Sequence, residues 1–493
     1  MPFVTGPLPQ RLKLVHGFGA VAFGVKDSGF SFFLLPFYNL VLGVDASTVG
    51  AALAAALVID ALVDPLIGHL SDRTYTKWGR RLPWLYLAPW PLALVWTMLW
   101  SPPFTGTPGF WDIVALAVGV RLLLSACEVP SVSLVPEITD DYDDRTTLFR
   151  YRFLSGWLGG LLMMVLTFTV FLPTPQLQLQ PEGYASYGLF GAALIALSVI
   201  GSAAAQHRIV AQLPERRPPP FSITGAFAEI FDAFREKAFV IFALGGLAAY
   251  VLQGMTFSIT QYVNLYVWQF SELAFQLYPA VLFLSVVLMF VIVGPLHRRW
   301  GKPKSAALGA LVGLAFYCSP YVFYLAGAWP TVGTTASTAL LYGFLVCANT
   351  ASVVAIISAT SMVAEIVEAF EERTGQRAEG TFYAGNWLVQ KCATGGGILL
   401  TSLIVQSIDL APGTPQAEVA PETVRQLVWL FMLAATVLAS IAAFWLARFP
   451  ISREQHEARV AARRGRPAPP APATADPLDQ AVRADPDAHT ITP

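Results

Sequence analysis

Two aspartates, Asp60 and Asp64, stand four residues apart in the otherwise apolar run Val58-Ile-Asp-Ala-Leu-Val-Asp-Pro-Leu66, and no basic residue follows until Arg73. On a helix this spacing stacks both carboxylates on one face. Like charges so close are unfavourable unless a proton or a cation lies between them. Surplus negative charge and hard oxygen ligands make such a pair a cation site, for H+ or Na+. A salt-bridged or capping pair is the structural alternative; the mid-helix position argues against capping. Other ionisable residues also interrupt apolar runs: Lys26 and Asp27, Arg121 and Glu128 seven apart, Arg152, and Lys391. Lys391 lies on a polar-aromatic stripe with Tyr383, Trp387, Gln390 and Thr394, and a second stripe holds Gln253, Thr256, Thr260 and Asn264. In lipid each such charge costs about 2.5–3.5 kcal/mol, so these residues face a partner or a wet cavity. Asp27, Glu128, Arg152, Arg121, Lys391, Trp387, Gln253 and Asn264 are therefore candidates to line a substrate pocket. Helix–helix hydrogen bonding competes for the second stripe, and a structural ion pair competes for Lys391. Lys26 is expected to point elsewhere than Asp27, so Asp27, Asp60, Asp64 and Glu128 exceed Arg121, Arg152 and Lys391 by up to one charge, which one Na+ or proton would balance.

The elements that must position these residues follow from composition. The chain has 493 residues, 55% hydrophobic and 13% charged, with a net charge of −1. Soluble domains carry about 25% charged residues, so a disordered chain, a nucleic-acid binder and an ordinary cytosolic enzyme are excluded. A bilayer crossing needs about 20 apolar residues. The charge-free runs predict twelve helices, at 14–42, 46–71, 83–101, 110–135, 147–172, 184–206, 238–268, 273–297, 304–326, 334–370, 380–408 and 423–448. The fold class is an all-α membrane protein of two six-helix bundles, 1–206 and 238–449. A linker spans 207–237, and a Pro/Ala-rich tail at 450–493 is expected to be disordered. The N-terminus lacks a cleavable signal pattern. Cys127, Cys318, Cys347 and Cys392 show no CxxC spacing and read as buried thiols.

Of the 31 Lys and Arg, all but Lys26, Arg121, Arg152, Lys391 and Arg425 fall on one side of this arrangement. That bias places both termini and the 207–237 linker in the cytoplasm. The loops also repeat. Glu137-Ile through Arg145-Thr146 matches Glu365-Ile through Arg373-Thr374 at an offset of 228, and Trp78-Gly79-Arg80 matches Trp300-Gly301-Lys302 at 222. Two parallel six-helix halves about an axis normal to the membrane place a transporter's site at the midplane between them.

The dispersed motifs resemble the glycoside–pentoside–hexuronide:cation symporters of the major facilitator superfamily. The resemblance spans all twelve helices. It rests on Gly17-Phe-Gly19 through Lys26-Asp27, on Asp60 through Gly68, and on Ser71-Asp-Arg73 through Trp84. Glu128-Val-Pro130 with Leu134-Val-Pro-Glu-Ile138, Arg152 and Lys391 complete it. It implies symport by alternating access. Asp60 and Asp64 would hold the coupling cation, with Lys391 nearby, and Asp27, Glu128 and Arg152 would hold substrate hydroxyls. Gly68, Asp72, Arg73, Gly79, Arg80 and Arg81 would form a clasp at the cytoplasmic loop. Glu128 replaces the family's usual Asp, Val132 an aromatic platform and Val63 an Asn. Val63 removes an oxygen ligand and favours H+ over Na+. Glu128 occurs in the lysophospholipid-importing branch, so an amphiphilic solute is the alternative to a sugar. No HExxH, GxSxG or P-loop is present and His numbers six, so catalysis has little support. No cofactor is expected beyond the coupling ion. The expected partners are a small-molecule substrate and membrane lipid, not nucleic acid. A monomer in a bacterial inner membrane is expected.

Overall fold

The computed structural model describes residues 3–4, 6–212, 231–375, 378–408, 410–415 and 418–450. Most of the predicted linker and the whole of the predicted tail after 450 lie outside the described residues. Regular structure among the described residues is helical, and Met1–Pro450 forms one compact unit.

Among the described residues twelve spans follow one another, as the charge-free runs predict. They are α1 Gln10–Val41, α2 Ala46–Asp72, α3 at 82–100, α4 Phe110–Ile138, α5 Asp143–Phe171 and α6 Pro181–Val210. The second half holds α7 Lys237–Val267, α8 at 272–300, α9 at 302–325, α10 Thr335–Thr374, α11 Glu379–Ser407 and α12 Pro421–Ala447. Length and hydropathy make this a multi-pass membrane protein. The ends depart from expectation where local chemistry decides. Asp141 caps α5 by accepting from the Asp144 amide, and Thr334 caps α10. Such oxygens satisfy amides that the helix start leaves free. No loop separates α8 from α9. The helix runs on through Trp300 and turns only at Gly301, whose φ is 75°.

The duplication is legible in backbone geometry. Gly79 and Gly301, the central residues of the two matched tripeptides, both adopt positive φ. A second match appears where α1 and α7 end. Each closes in a π-turn, Phe37–Val41 and Val263–Val267. The Leu42 amide donates to the Phe37 carbonyl as Trp268 does to Val263, and Val44 donates to Tyr38 as Phe270 does to Asn264. The residue inside each turn is left-handed: Gly43 in the first, Gln269 in the second. This correspondence, at an offset of 226, joins the two found in sequence.

Small residues let helices cross closely, as they do where lipid supplies no hydrophobic drive. A Cβ on Gly24 would lie 1.7 Å from the Gly156 carbonyl oxygen across the α1–α5 crossing. Gly254 and Gly397 serve the matching α7–α11 crossing, where a Cβ would meet backbone at 2.4 and 2.2 Å. The same device joins the halves along α2 and α11. Gly50 lies against Ser402, and Gly395 against Ala54 and Leu57. The four cysteines correct the expectation of burial. Only Cys127 is buried; Cys318 and Cys392 are half-buried and Cys347 is exposed, and all are free.

Candidate functional site

The α2–α11 crossing sets up the site. The helices run antiparallel, so the ladder Gly50–Ser402, Leu57–Gly395 continues one turn further to Asp60 and Lys391. Lys391 Nζ lies 2.9 Å from Asp60 Oδ2 and also bonds Asp64 Oδ2. One ammonium thus bridges both carboxylates and ties the second half to the first. From α4, Arg121 Nη1 donates to Asp60 Oδ2 at 3.1 Å. Ser125 Oγ, one turn on, lies 3.2 Å from Asp60 Oδ1 and 2.7 Å from Asp64 Oδ1. Asp60 is almost wholly enclosed, with 5% of its side chain exposed, against 31% for Asp64 and 26% for Lys391. Arg121, 7% exposed, lies with its guanidinium carbon 4.6 Å from the centre of the Phe30 ring.

Arg121 therefore belongs with the carboxylate pair, not with the pocket-lining group in which spacing had placed it. Seven residues put Arg121 and Glu128 on one face, but the two-turn rise separates them by about 10 Å. Glu128 lines a second, narrow cleft with Arg152, Ser131, Gly19 and Ser202. There Arg152 Nη1 donates to Ser131 Oγ at 2.6 Å.

Lys26 corrects the charge balance. It does not point away from Asp27: its ammonium is 3.6 Å from Asp27 Oδ1 and 4.3 Å from the Phe23 ring centre. Four acids thus face four bases, and the expected deficit of one positive charge disappears. Lys26 is buried, while the Asp27 side chain is 56% exposed and leaves acceptor oxygens open. Trp387, one turn before Lys391, is also exposed, and Gln253 is half-buried. Asn264 is not with them. It lies in the π-turn that ends α7, about 16 Å along the axis from Gln253 at 1.5 Å per residue, and is buried. Thr260, on the same stripe, bonds the Thr256 carbonyl of its own helix.

The far ends of the halves, opposite the basic loops, are joined. Tyr262 Oη donates to Asn39 Oδ1 at 2.9 Å, Gln261 bonds Gln178, and Phe168 packs against Phe275 at 5.1 Å.

On the basic face, Arg80 and Arg81 meet at Glu137, the last turn of α4. Arg80 Nη2 is 2.7 Å and Arg81 Nε 3.0 Å from its Oε1. Asp72 bonds Arg81 and lies 3.7 Å from Arg80. Gly68 backs this loop, its α-carbon facing Val129 of α4. Arg73 is exposed and enters none of these pairs. The second half repeats the arrangement, with Lys302 Nζ 3.0 Å from Glu365 Oε1.

Sequence reasoning missed Ser125, Ser131 and Glu137 as site or clasp residues. Ser125 carried a signal, since it sits between Arg121 and Glu128 at helical spacing. Glu137 carried a stronger one. The two matched loop motifs place Glu137 and Arg80 in the first repeat where Glu365 and Lys302 stand in the second.

A family model for MFS/sugar transport proteins matches residues 15–453. The chain belongs to this family. It is 27% identical to an uncharacterized symporter of Synechocystis sp., over 90% of this chain and 94% of that one. It is 31% identical to the isoprimeverose transporter of Lactiplantibacillus pentosus, over 31% of this chain and 32% of that one. The fold matches the crystal structure of the nucleoside transporter NupG with a TM-score of 0.63 at 16% identity, covering 90% of this chain and all of that one. The protein is thus a transporter of the major facilitator type and not an enzyme.

Proposed function

We propose that the chain is a cation-coupled symporter of a sugar or glycoside, working by alternating access between a bundle at 1–206 and one at 238–449. The basic face is cytoplasmic in a bacterial inner membrane, by the bias of Lys and Arg. The observation that carries this reading is the bridge from Lys391 of α11 to Asp60 and Asp64 of α2. An ion pair that joins the halves at mid-membrane can be made and broken by a coupling ion. Symport needs ion and solute each to favour the other's binding, a reciprocal coupling free energy. With the ion absent, Lys391 neutralises the carboxylates. With it bound, Lys391 is released, and Asp27, Glu128 and Arg152 take up solute hydroxyls. Trp387 and Gln253 line the same cavity. The relation to an isoprimeverose transporter supports a glycoside. Gly68, Asp72, Gly79, Arg80, Arg81 and Glu137 act as a clasp that biases the two access states, an equilibrium of only a few kcal/mol.

The test is uptake into proteoliposomes. Labelled sugars, isoprimeverose among them, and labelled lysolipids are offered under an imposed pH gradient or Na+ gradient. The expected result is accumulation of a sugar under one gradient, with Asp64→Asn abolishing accumulation while downhill exchange persists. Full accumulation by the Asp60→Asn, Asp64→Asn double variant would overturn the mechanism, and accumulation of lysolipid alone would overturn the sugar assignment.

A further inference from the structure

Asp60 and Asp64 differ in what already occupies them. Asp60 Oδ2 accepts from both Arg121 and Lys391, while Asp64 Oδ2 accepts from Lys391 alone. A guanidinium stays protonated at any physiological pH. Arg121 is buried, lies over Phe30 and is held at 3.1 Å, so it cannot withdraw as a long exposed side chain could. We propose that Arg121 is a resident cation of the carboxylate pair, leaving Asp64 as the one exchanging carboxylate and making the pair a proton site rather than a sodium site. This rests on the symport reading above and names its coupling ion and the residue that selects it.

The hydrogen count supports a proton. Ser125 Oγ touches Asp64 Oδ1 and Asp60 Oδ1, and a serine hydroxyl has one hydrogen to donate. Two oxygen–oxygen contacts therefore share one hydrogen. A proton added to Asp64 Oδ1 donates to Ser125, and Ser125 turns its own hydrogen to Asp60. Both contacts are then filled with no heavy atom displaced. The proton arrives from water on one side of the membrane and leaves to water on the other; no other bond forms or breaks. A neutral Asp64 no longer holds Lys391, which is the release that coupling requires.

Sodium is served poorly by the same atoms. It needs several free oxygen ligands, as hard cations do. Asp60 Oδ2 and Asp64 Oδ2 already accept from cations, the two Oδ1 atoms share one serine hydroxyl, and Val63 beside Asp64 brings no oxygen. The charged groups around Asp64 are Asp60 on its own helix, Arg121 and Glu128 on α4, Lys391 on α11, and Lys26 with Asp27 on α1. Of these, the bases nearest Asp64 are Arg121 and Lys391, and both repel a second cation.

The experiment uses the full-length protein in detergent, with thermal stability measured in sodium chloride and in choline chloride at equal ionic strength. Wild type should show no sodium-specific shift. Arg121→Gln removes the resident cation and should gain a saturable sodium-dependent rise of a few degrees, as a ligand that binds only the folded state produces. Adding Asp60→Asn should abolish that rise, and Arg121→Lys, which keeps the charge, should lack it. If Arg121→Gln is too unstable to purify in choline, recovery in sodium is the same supporting result. A saturable sodium shift in wild type that Asp60→Asn removes would overturn the proposal and leave symport standing with Na+. Arg121→Gln equally unresponsive or equally unfolded in both salts would overturn Arg121 as the selecting residue. Failure of every gradient to drive uptake would instead remove the symport reading itself.

Discussion

The two halves of this protein share a frame but not a chemistry. Both close their first helix in a π-turn, both turn a basic-face tripeptide on a left-handed glycine, and both pair that tripeptide with a glutamate of their fourth helix. The mid-membrane charges are divided otherwise. Lys26, Asp27, Asp60, Asp64, Arg121, Glu128 and Arg152 stand in the first half, and among the described residues Lys391 alone faces them from the second. On the basic face, Arg80 and Arg81 meet Glu137 and Asp72 in the first half, and Lys302 meets Glu365 in the second. The difference teaches that duplication preserves what the backbone needs, while the binding chemistry concentrates in one half. The other half then needs only one reporter of that half's charge state, and a lysine on a long stem serves.

The largest test of this division is Lys391→Ala. It removes the second half's one charge at the site and leaves two carboxylates to Arg121. Without the cation that answers to both carboxylates, gradient-driven uptake in vesicles should be lost while the protein still folds. Gln253→Ala, also in the second half and lining the cavity but outside the ion pairs, should reduce uptake less than Lys391→Ala does. Equal losses from both would break the comparison.

Next come the two clasp acids. Glu137→Gln leaves Arg80 and the buried Arg81 short of a shared anion, and charged hydrogen bonds contribute about 1.5–3 kcal/mol. Glu365→Gln frees one lysine that is already 30% exposed, where such pairs contribute about 0.2–1 kcal/mol. Thermal unfolding should therefore fall further for Glu137→Gln. The reverse order would show that the second clasp is the stronger.

The left-handed glycines sharpen the comparison more finely. Gly79→Ala should destabilise by about 1–2 kcal/mol from backbone strain, and by more because its new Cβ would lie 2.7 Å from the Gln212 carbonyl oxygen. Gly43→Ala meets no atom within 4 Å. Its cost is strain alone, about 1 kcal/mol, and the second half already tolerates a side chain at the matching Gln269. A larger loss at Gly43 than at Gly79, read from the unfolding temperatures, would contradict this account of both turns.

Sequence by itself determined the number of spans, the duplication and the pairing of Asp60 with Asp64. These depend on the length of apolar runs and on helical spacing, which neighbouring residues in the chain decide. It also brought Lys391 forward, because a charge within an apolar run is costly wherever it lies. Only the tertiary structure decided who meets whom. The fixed separation of Arg121 and Glu128 along α4 could not say that α2 crosses at one and the Arg152 cleft opens at the other. The pairing of Lys26 with Asp27 depends on a flexible side chain folding back along its own helix, past Phe23, which helical spacing leaves open. The continuous helix through Trp300 escaped notice because charged residues there read as a loop, although a single left-handed glycine suffices for the turn. Asn264 looked like a pocket residue because a stripe has no depth on a sequence. Depth along a membrane is set by where the halves close, and they close around the end of α7.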